Sequence, residues 1–265
     1  MEPEKPHLSA RQYLESLSAG GRNDFDVAEA QKALGTTSAK FALSRLAKQR
    51  LIVSPARGFY VIVPPEYRAL GSPPADQFIP ALMKKLGLPY YAGLLTAAQY
   101  HGAAHQRPQE FQVLLEKKRL PISSGKVRVA FIVRKRLRDV PVQTLNTRRG
   151  TLIVSTPEAT ALDLVGYPNR VGGLNQVATV LSELAERIDP EKLVVAAAAA
   201  PVPWAQRLGY LLERAGAAEK ASGLRAYVRA RAHESAVLLP QGSSKKATRD
   251  ENWKLFINAA VEPES

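Results

Sequence analysis

The chain has 265 residues, enough for one large domain or two smaller ones, with 45% hydrophobic and 23% charged residues, an ordinary globular balance. It has no cysteine, which excludes disulfides, thiolate nucleophiles and cysteine-based zinc sites. The net charge of +13 favours a polyanionic partner, with nucleic acid foremost.

The opening MEPEKPHLSA carries no apolar run and does not read as a signal peptide. No stretch reaches the roughly 20 apolar residues that span a bilayer. The expectation is a cytoplasmic protein with no membrane contact.

Residues 1–63 read as a winged helix-turn-helix. Ser9 and Gln12 have the spacing of a capping box, starting a helix that turns Tyr13, Leu14 and Leu17 inward. Gly20 and Gly21 stop it. Asp26 and Glu29 repeat the spacing for a second helix with Val27, Ala30 and Leu34 on one face. Gly35 permits a tight turn, and Thr36, Thr37 and Ser38 offer caps to a third helix running from about Ser38 to Gln49. A short helix, a glycine turn and a second helix make a helix-turn-helix. Two β-rich runs, 51–53 and 59–63, flank Ser54-Pro55-Ala56-Arg57-Gly58 and predict a hairpin in the position of a wing.

Helical periodicity puts Ala39, Ala42, Leu43, Leu46 and Ala47 on the packed side of the third helix. Thr37, Lys40, Phe41, Ser44, Arg45 and Lys48 fall on the other. Lys and Arg neutralise phosphates or donate to guanine edges, and Ser and Thr can bond either. No acidic residue occurs from Thr36 to Val63, where a carboxylate would repel phosphates. Thr37, Lys40, Ser44, Arg45 and Lys48 are therefore the candidate DNA contacts, with Arg57 and Tyr60 on the wing. Phe41 either touches a thymine methyl or packs under the wing.

Pro64-Pro65 and Gly71-Ser72-Pro73-Pro74 predict a linker over 64–75. Residues 76–240 then read as a larger α/β domain, and 241–265 as a polar C-terminal tail with a short amphipathic piece at 253–257. Thr96 and Gln99 suggest another capping box, with a helix running to about His105. Strands are expected at 111–115, 127–133 and 151–154. Thr156, with Pro157 and Glu158 behind it, is a standard helix start. Helices follow near 173–187, 190–200, 204–216 and 222–231. Strands first and helices massed in the C-terminal half predict an α+β fold.

The search for chemistry yields little. His101 and His105 stand at i, i+4, but nothing supplies a third metal ligand. Glu158 and Asp163 are explained by a helix start and a solvated face. Gly172-Gly173 fits neither phosphate-loop pattern. No catalytic residue, metal or cofactor is expected, and hence no enzyme. Residues 117–150 hold eleven basic residues against the single acid Asp139: Lys117, Lys118, Arg119, Lys126, Arg128, Arg134, Lys135, Arg136, Arg138, Arg148 and Arg149. They read either as a solvated sheet edge or as a second polyanion surface.

Several stretches together carry a family resemblance. They are Arg57-Gly58-Phe59-Tyr60-Val61-Ile62-Val63-Pro64-Pro65-Glu66-Tyr67; Pro89-Tyr90-Tyr91-Ala92-Gly93-Leu94-Leu95-Thr96-Ala97-Ala98 with Tyr100-His101-Gly102; Ser155-Thr156-Pro157-Glu158-Ala159-Thr160-Ala161-Leu162-Asp163-Leu164; and Gln206-Arg207-Leu208-Gly209-Tyr210-Leu211-Leu212-Glu213. In this order, over roughly residues 8–240, the chain resembles the AbiEi-type antitoxins of type IV toxin–antitoxin systems, known from abortive phage infection. The resemblance implies an N-terminal winged helix that represses its own operon through inverted repeats in double-stranded DNA. It also implies a C-terminal antitoxin domain that counters a nucleotidyltransferase-like toxin, directly or indirectly. Orphan regulators with a ligand- or protein-binding C-terminal domain occur in the same family and are the alternative.

Overall fold

The computed structural model describes residues 8–103 and 108–262. Its backbone contacts divide the chain into two compact units, neither of them continuous. The first comprises the chain up to Leu88 with Arg119–Phe131 and Asn146–Thr151; the second comprises Pro89–Lys118, Ile132–Leu145 and everything from Leu152 on.

The first unit opens with α1 (Ala10–Ala19), β1 (Asp24–Asp26), α2 (Val27–Leu34), α3 (Thr36–Lys48), β2 (Ile52–Ala56) and β3 (Phe59–Ile62). The strands form an antiparallel sheet in the order β1–β3–β2, with Phe25 opposite Tyr60 and Val53 opposite Val61. This order and pairing fit the expected winged helix-turn-helix. Both anticipated capping boxes form: Gln12 with Ser9, and Glu29 with Asp26. The core joins Tyr13, Leu14 and Leu17 to Phe25, Ala30, Leu34, Leu43, Leu46 and Ile52. Phe25 sits at its centre, edge-on to Tyr13 at 5.3 Å and stacked on Tyr60 at 5.5 Å.

Three local expectations change. Strand β1 was unforeseen, because a three-residue Asp-Phe-Asp run has no readable period and becomes a strand only by pairing with β3. Helix α3 begins at Thr36, and no side chain caps it. Gly35, at φ 82°, takes the chain directly from α2 into α3, so Thr36, Thr37 and Ser38 lie inside the helix. Val27 and Ala47, assigned inward, are exposed.

Residues 64–75, expected as a linker, hold buried Ser72, Pro73 and Ala75. Helix α4 (Ile79–Leu86) buries Ile79, Leu82 and Met83 and ends at the left-handed Gly87. The chain continues through β4 (Tyr91–Ala92), α5 (Leu94–Tyr100) and β5 (Phe111–Leu115) of the second unit, then β6 (Ile122–Ser124), β7 (Val127–Val133), β8 (Val142–Thr147) and β9 (Gly150–Ser155). The limits between the units fall inside β7, β8 and β9. In the first unit, β6 and β7 form a hairpin with Ile122 opposite Val129, and β6 runs beside β2.

In the second unit, β4 pairs antiparallel with β5 (Tyr91 opposite Leu114) and parallel with β9 (Ala92 opposite Val154). Helix α6 (Pro157–Gly166) follows, capped by Thr156, whose hydroxyl accepts from the Ala159 amide. It is buried from Glu158 to Val165 because α5, α7 (Leu174–Leu184), α8 (Pro190–Ala198) and α9 (Val202–Arg214) all pack on it. Helix α10 (Ser222–Arg231) packs on α8 and α9. Mixed α+β with helices massed late is the fold class expected from the sequence.

Thr96 does not cap α5, which starts at Leu94 behind Gly93; its hydroxyl accepts the Gln112 amide at 2.8 Å instead. The segment from 241 on, expected as a tail, contributes β11 (Thr248–Asp250) and β12 (Leu255–Ile257), which join β10 (Ala236–Val237) in the order β10–β12–β11. Trp253 is fully buried there, and its Nε1 donates to Glu213 at 2.8 Å. Its ring leaves no room for a Cβ on Gly209 of α9.

Candidate nucleic-acid interface

Helix α3 has two faces of opposite character. Ala39, Ala42, Leu43 and Leu46 are buried in the core, so the helix cannot rotate without losing its packing. Thr37, Lys40, Phe41, Ser44, Arg45 and Lys48 are all exposed. Lys40, Arg45 and Lys48 form no ion pair with any described residue, and neither do Arg50 and Arg57. Their charge is therefore not neutralised within the described chain. Phe41 is 72% exposed, so it does not pack under the wing.

Two acids of the same unit, Asp26 and Glu29, are paired away from α3. Asp26 binds Lys85 at 2.9 Å, and Glu29 binds Arg22 at 2.8 Å. The Lys85 contact and the Glu29 amide hold Asp26 below the usual carboxylate range, and Arg22 does the same for Glu29.

The wing turns at Arg57-Gly58, with Gly58 at φ 71° and Arg57 exposed. The Ser54 hydroxyl donates to the carbonyls of Ala56 and Phe59, cinching β2 to β3 where the register slips by a bulge. Tyr60 differs from Arg57: its ring is half-buried on Phe25, so packing already accounts for it.

The basic block is divided between the two units. Arg119, Lys126, Arg128, Arg148 and Arg149 belong to the first unit, and Lys117, Lys118, Arg134, Lys135, Arg136 and Arg138 to the second. Lys117, Lys118, Lys126, Arg128, Lys135, Arg138 and Arg148 are exposed. Arg119 lies half-buried over the Phe131 ring, 5.6 Å from its centroid, and Arg149 is half-buried. Arg136 is exposed but paired with Asp139 at 2.9 Å.

Arg134 does not belong to any basic surface. Only 4% exposed, it cannot meet a polyanion. Its Nε donates to Asp163 Oδ1 at 3.0 Å, Nη1 to the Lys135 carbonyl at 2.8 Å and Nη2 to the Ala199 carbonyl at 3.0 Å, while the guanidinium lies 4.6 Å from the Trp204 ring. Asp163, expected on a solvated face, is fully buried, and its Oδ2 accepts the Tyr91 hydroxyl at 2.6 Å. Burial pushes the Asp163 carboxyl up against the pull of Arg134 and Tyr91. Burial and the neighbouring Asp163 push the Tyr91 phenol well above its ordinary value. Glu158 is likewise buried, and its Oε1 accepts the Asp189 amide at 3.0 Å. Helix-start logic could not see this cluster, because four helices cover α6. The hint in the sequence was the run of apolar residues on every side of Asp163.

His101 donates from Nε2 to the Ser155 carbonyl at 2.8 Å, and burial holds its pKa below the ordinary histidine value. His105 lies outside the described residues. Among the described residues no three His, Cys, Asp or Glu side chains are placed to hold a metal ion, and no helix is long and apolar enough to cross a membrane.

The family model described as the AbiEi antitoxin C-terminal domain matches residues 91–214, a little under half of the chain. No curated protein matches the chain. Among solved structures, the chain resembles the crystal structure of the RV2827C protein from Mycobacterium tuberculosis, with a TM-score of 0.65 over 95% of this chain and 92% of that one. At 17% identity this likeness speaks to the fold alone. The domain match supports an antitoxin role, and the resemblance to AbiEi-type antitoxins stands on residues 91–214, the stretch that holds Tyr91, Arg134 and Asp163.

Proposed function

We propose that the chain is a cytoplasmic DNA-binding autorepressor and the antitoxin of a type IV toxin–antitoxin system, countering a nucleotidyltransferase-like toxin. The observation that carries the DNA-binding half is the outward face of α3, with three unpaired cations and two hydroxyls on one exposed helical surface. The major groove of B-DNA admits one helix; Lys and Arg there meet phosphates or guanine edges, and Ser and Thr meet either. Arg57, exposed at the turn between β2 and β3, supports a further contact with an adjacent phosphate. The antitoxin half rests on the domain match at 91–214. A single winged helix covers a short stretch of duplex, so two copies on inverted half-sites are the expected mode. The reading requires no catalytic group, metal or cofactor.

Two measurements test it separately. A duplex taken from upstream of the chain's own gene should be retarded in a gel at low salt, with binding falling steeply as salt rises. An unshifted duplex refutes the operator half. Co-expression with a neighbouring nucleotidyltransferase gene should restore growth. Equal toxicity with and without this chain refutes the antitoxin half.

A further inference from the structure

Phe41 is the one large apolar side chain on the exposed face of α3. It stands four residues after Thr37, and three, four and seven before Ser44, Arg45 and Lys48, so it lies within their stripe, not at its margin. It also lines a groove of about 550 Å³ together with Leu8, Leu34, Ser38, Ala42 and Arg45. The ring is no member of the core cluster, so packing alone does not account for it. What surrounds it is cationic: Lys40, Arg45 and Lys48, with no acid between Thr36 and Val63.

We infer that Phe41 reads the C5-methyl group of a thymine in the major groove and is a sequence-specificity determinant of the chain. This rests on the DNA-binding reading above. The cations call for a polyanion, and among base edges in the major groove thymine alone offers an apolar group. Long helical side chains lean toward the helix N-terminus, so the ring reaches toward Thr37 and Ser38. That end of a recognition helix is the one that meets base edges. Arg45 and Lys48 hold the phosphates or a guanine beside it, and Phe41 adds discrimination that charge alone does not provide.

The test begins with a randomised duplex library enriched on the immobilised full chain. In the enriched site each thymidine is replaced in turn by deoxyuridine, which pairs identically and lacks only the methyl. Affinities are measured for the native protein and Phe41→Ala, with circular dichroism confirming that the exposed substitution leaves the fold intact. One position per half-site should lose about fourfold in affinity with the native protein, the worth of one buried methyl. That loss should vanish in Phe41→Ala, which itself binds roughly tenfold more weakly with an unchanged salt slope. A site that is bound but indifferent to every deoxyuridine overturns the inference, as does an equal loss in both proteins. Weakening of Phe41→Ala that sedimentation traces to dissociation of a dimer assigns the ring to a second copy of the chain and also overturns it. A library from which no sequence is enriched, with no duplex retained, is the failure of the DNA-binding reading itself.

Discussion

Arg134 Nε lies 3.0 Å from Asp163 Oδ1 with both side chains buried, so the second unit encloses a charge pair whose halves neutralise each other out of water. Removing one partner leaves a buried charge uncompensated, at a cost of about 3–5 kcal/mol, whereas replacing both by apolar residues can be close to neutral. Urea titrations should therefore show Arg134→Met and Asp163→Leu each strongly destabilising, and the double variant far less so than their sum. Single losses below about 1 kcal/mol would mean that the pair is dispensable.

Trp253 and Gly209 make a second coupled pair. Trp253→Ala should cost about 3–5 kcal/mol, the usual range for emptying a large aromatic site. Gly209→Ala should also destabilise, because the added Cβ has no space beside the indole. Combining Gly209→Ala with Trp253→Leu should recover part of the loss, read as a rise in thermal midpoint over Gly209→Ala alone. A strictly additive result would separate the two residues.

On α3, Arg45→Ala and Lys48→Ala should each weaken operator binding. A residue that reads a base edge should lose about 1–3 kcal/mol with relaxed specificity at one position. A residue that touches only phosphate should lose affinity for every sequence, and the slope of log affinity on log salt should shrink by about one. An Arg45→Ala/Lys48→Ala protein with native gel shifts removes α3 as the reading helix.

The first unit depends on pH through its paired carboxylates. Asp26 and Glu29 are held below their ordinary values by Lys85 and Arg22, so what they contribute is present above about pH 4 and lost as pH falls through their folded values. Asp24 works in the opposite sense, because burial raises it. Both ion pairs are partly exposed, so the effect is screened and modest. Hydrogen exchange at the Glu29 amide, which donates to Asp26 Oδ1 at 2.8 Å, should quicken beyond the intrinsic trend as pH falls below about 4. Asp26→Asn should abolish that excess, and its persistence would point to another group.

What the sequence made legible follows period and cap. Ser9 with Gln12 and Asp26 with Glu29 mark helix starts by purely local chemistry, and both formed. The two faces of α3 follow from 3.6-residue periodicity, with Ala47 the one misplaced residue. What stayed hidden depends on partners distant in the chain. β1 exists through Val61 and Tyr60, and Arg134 reads as a surface cation until Asp163 is placed beside it. Trp253 was visible as amphipathic, but only Gly209 on α9 shows where the indole goes. Tyr60 shows the same limit from the other direction: an aromatic at a wing is equally a core residue until Phe25 is seen beneath it.

The Lys126 amide donates to the Leu70 carbonyl at 2.7 Å, and Gly125 at φ 55° presses so closely on Leu70 and Gly71 that a methyl there would collide. These contacts join stretches that translation delivers far apart. A gene fragment ending after the β2–β3 hairpin would encode α3 without the strand that flanks β2. A single recombination crossover behind residue 63 could not transplant this unit whole into another protein. On the proposed DNA-binding reading, a change of operator preference would have to proceed by substitutions on α3, or carry 119–131 and 146–151 along.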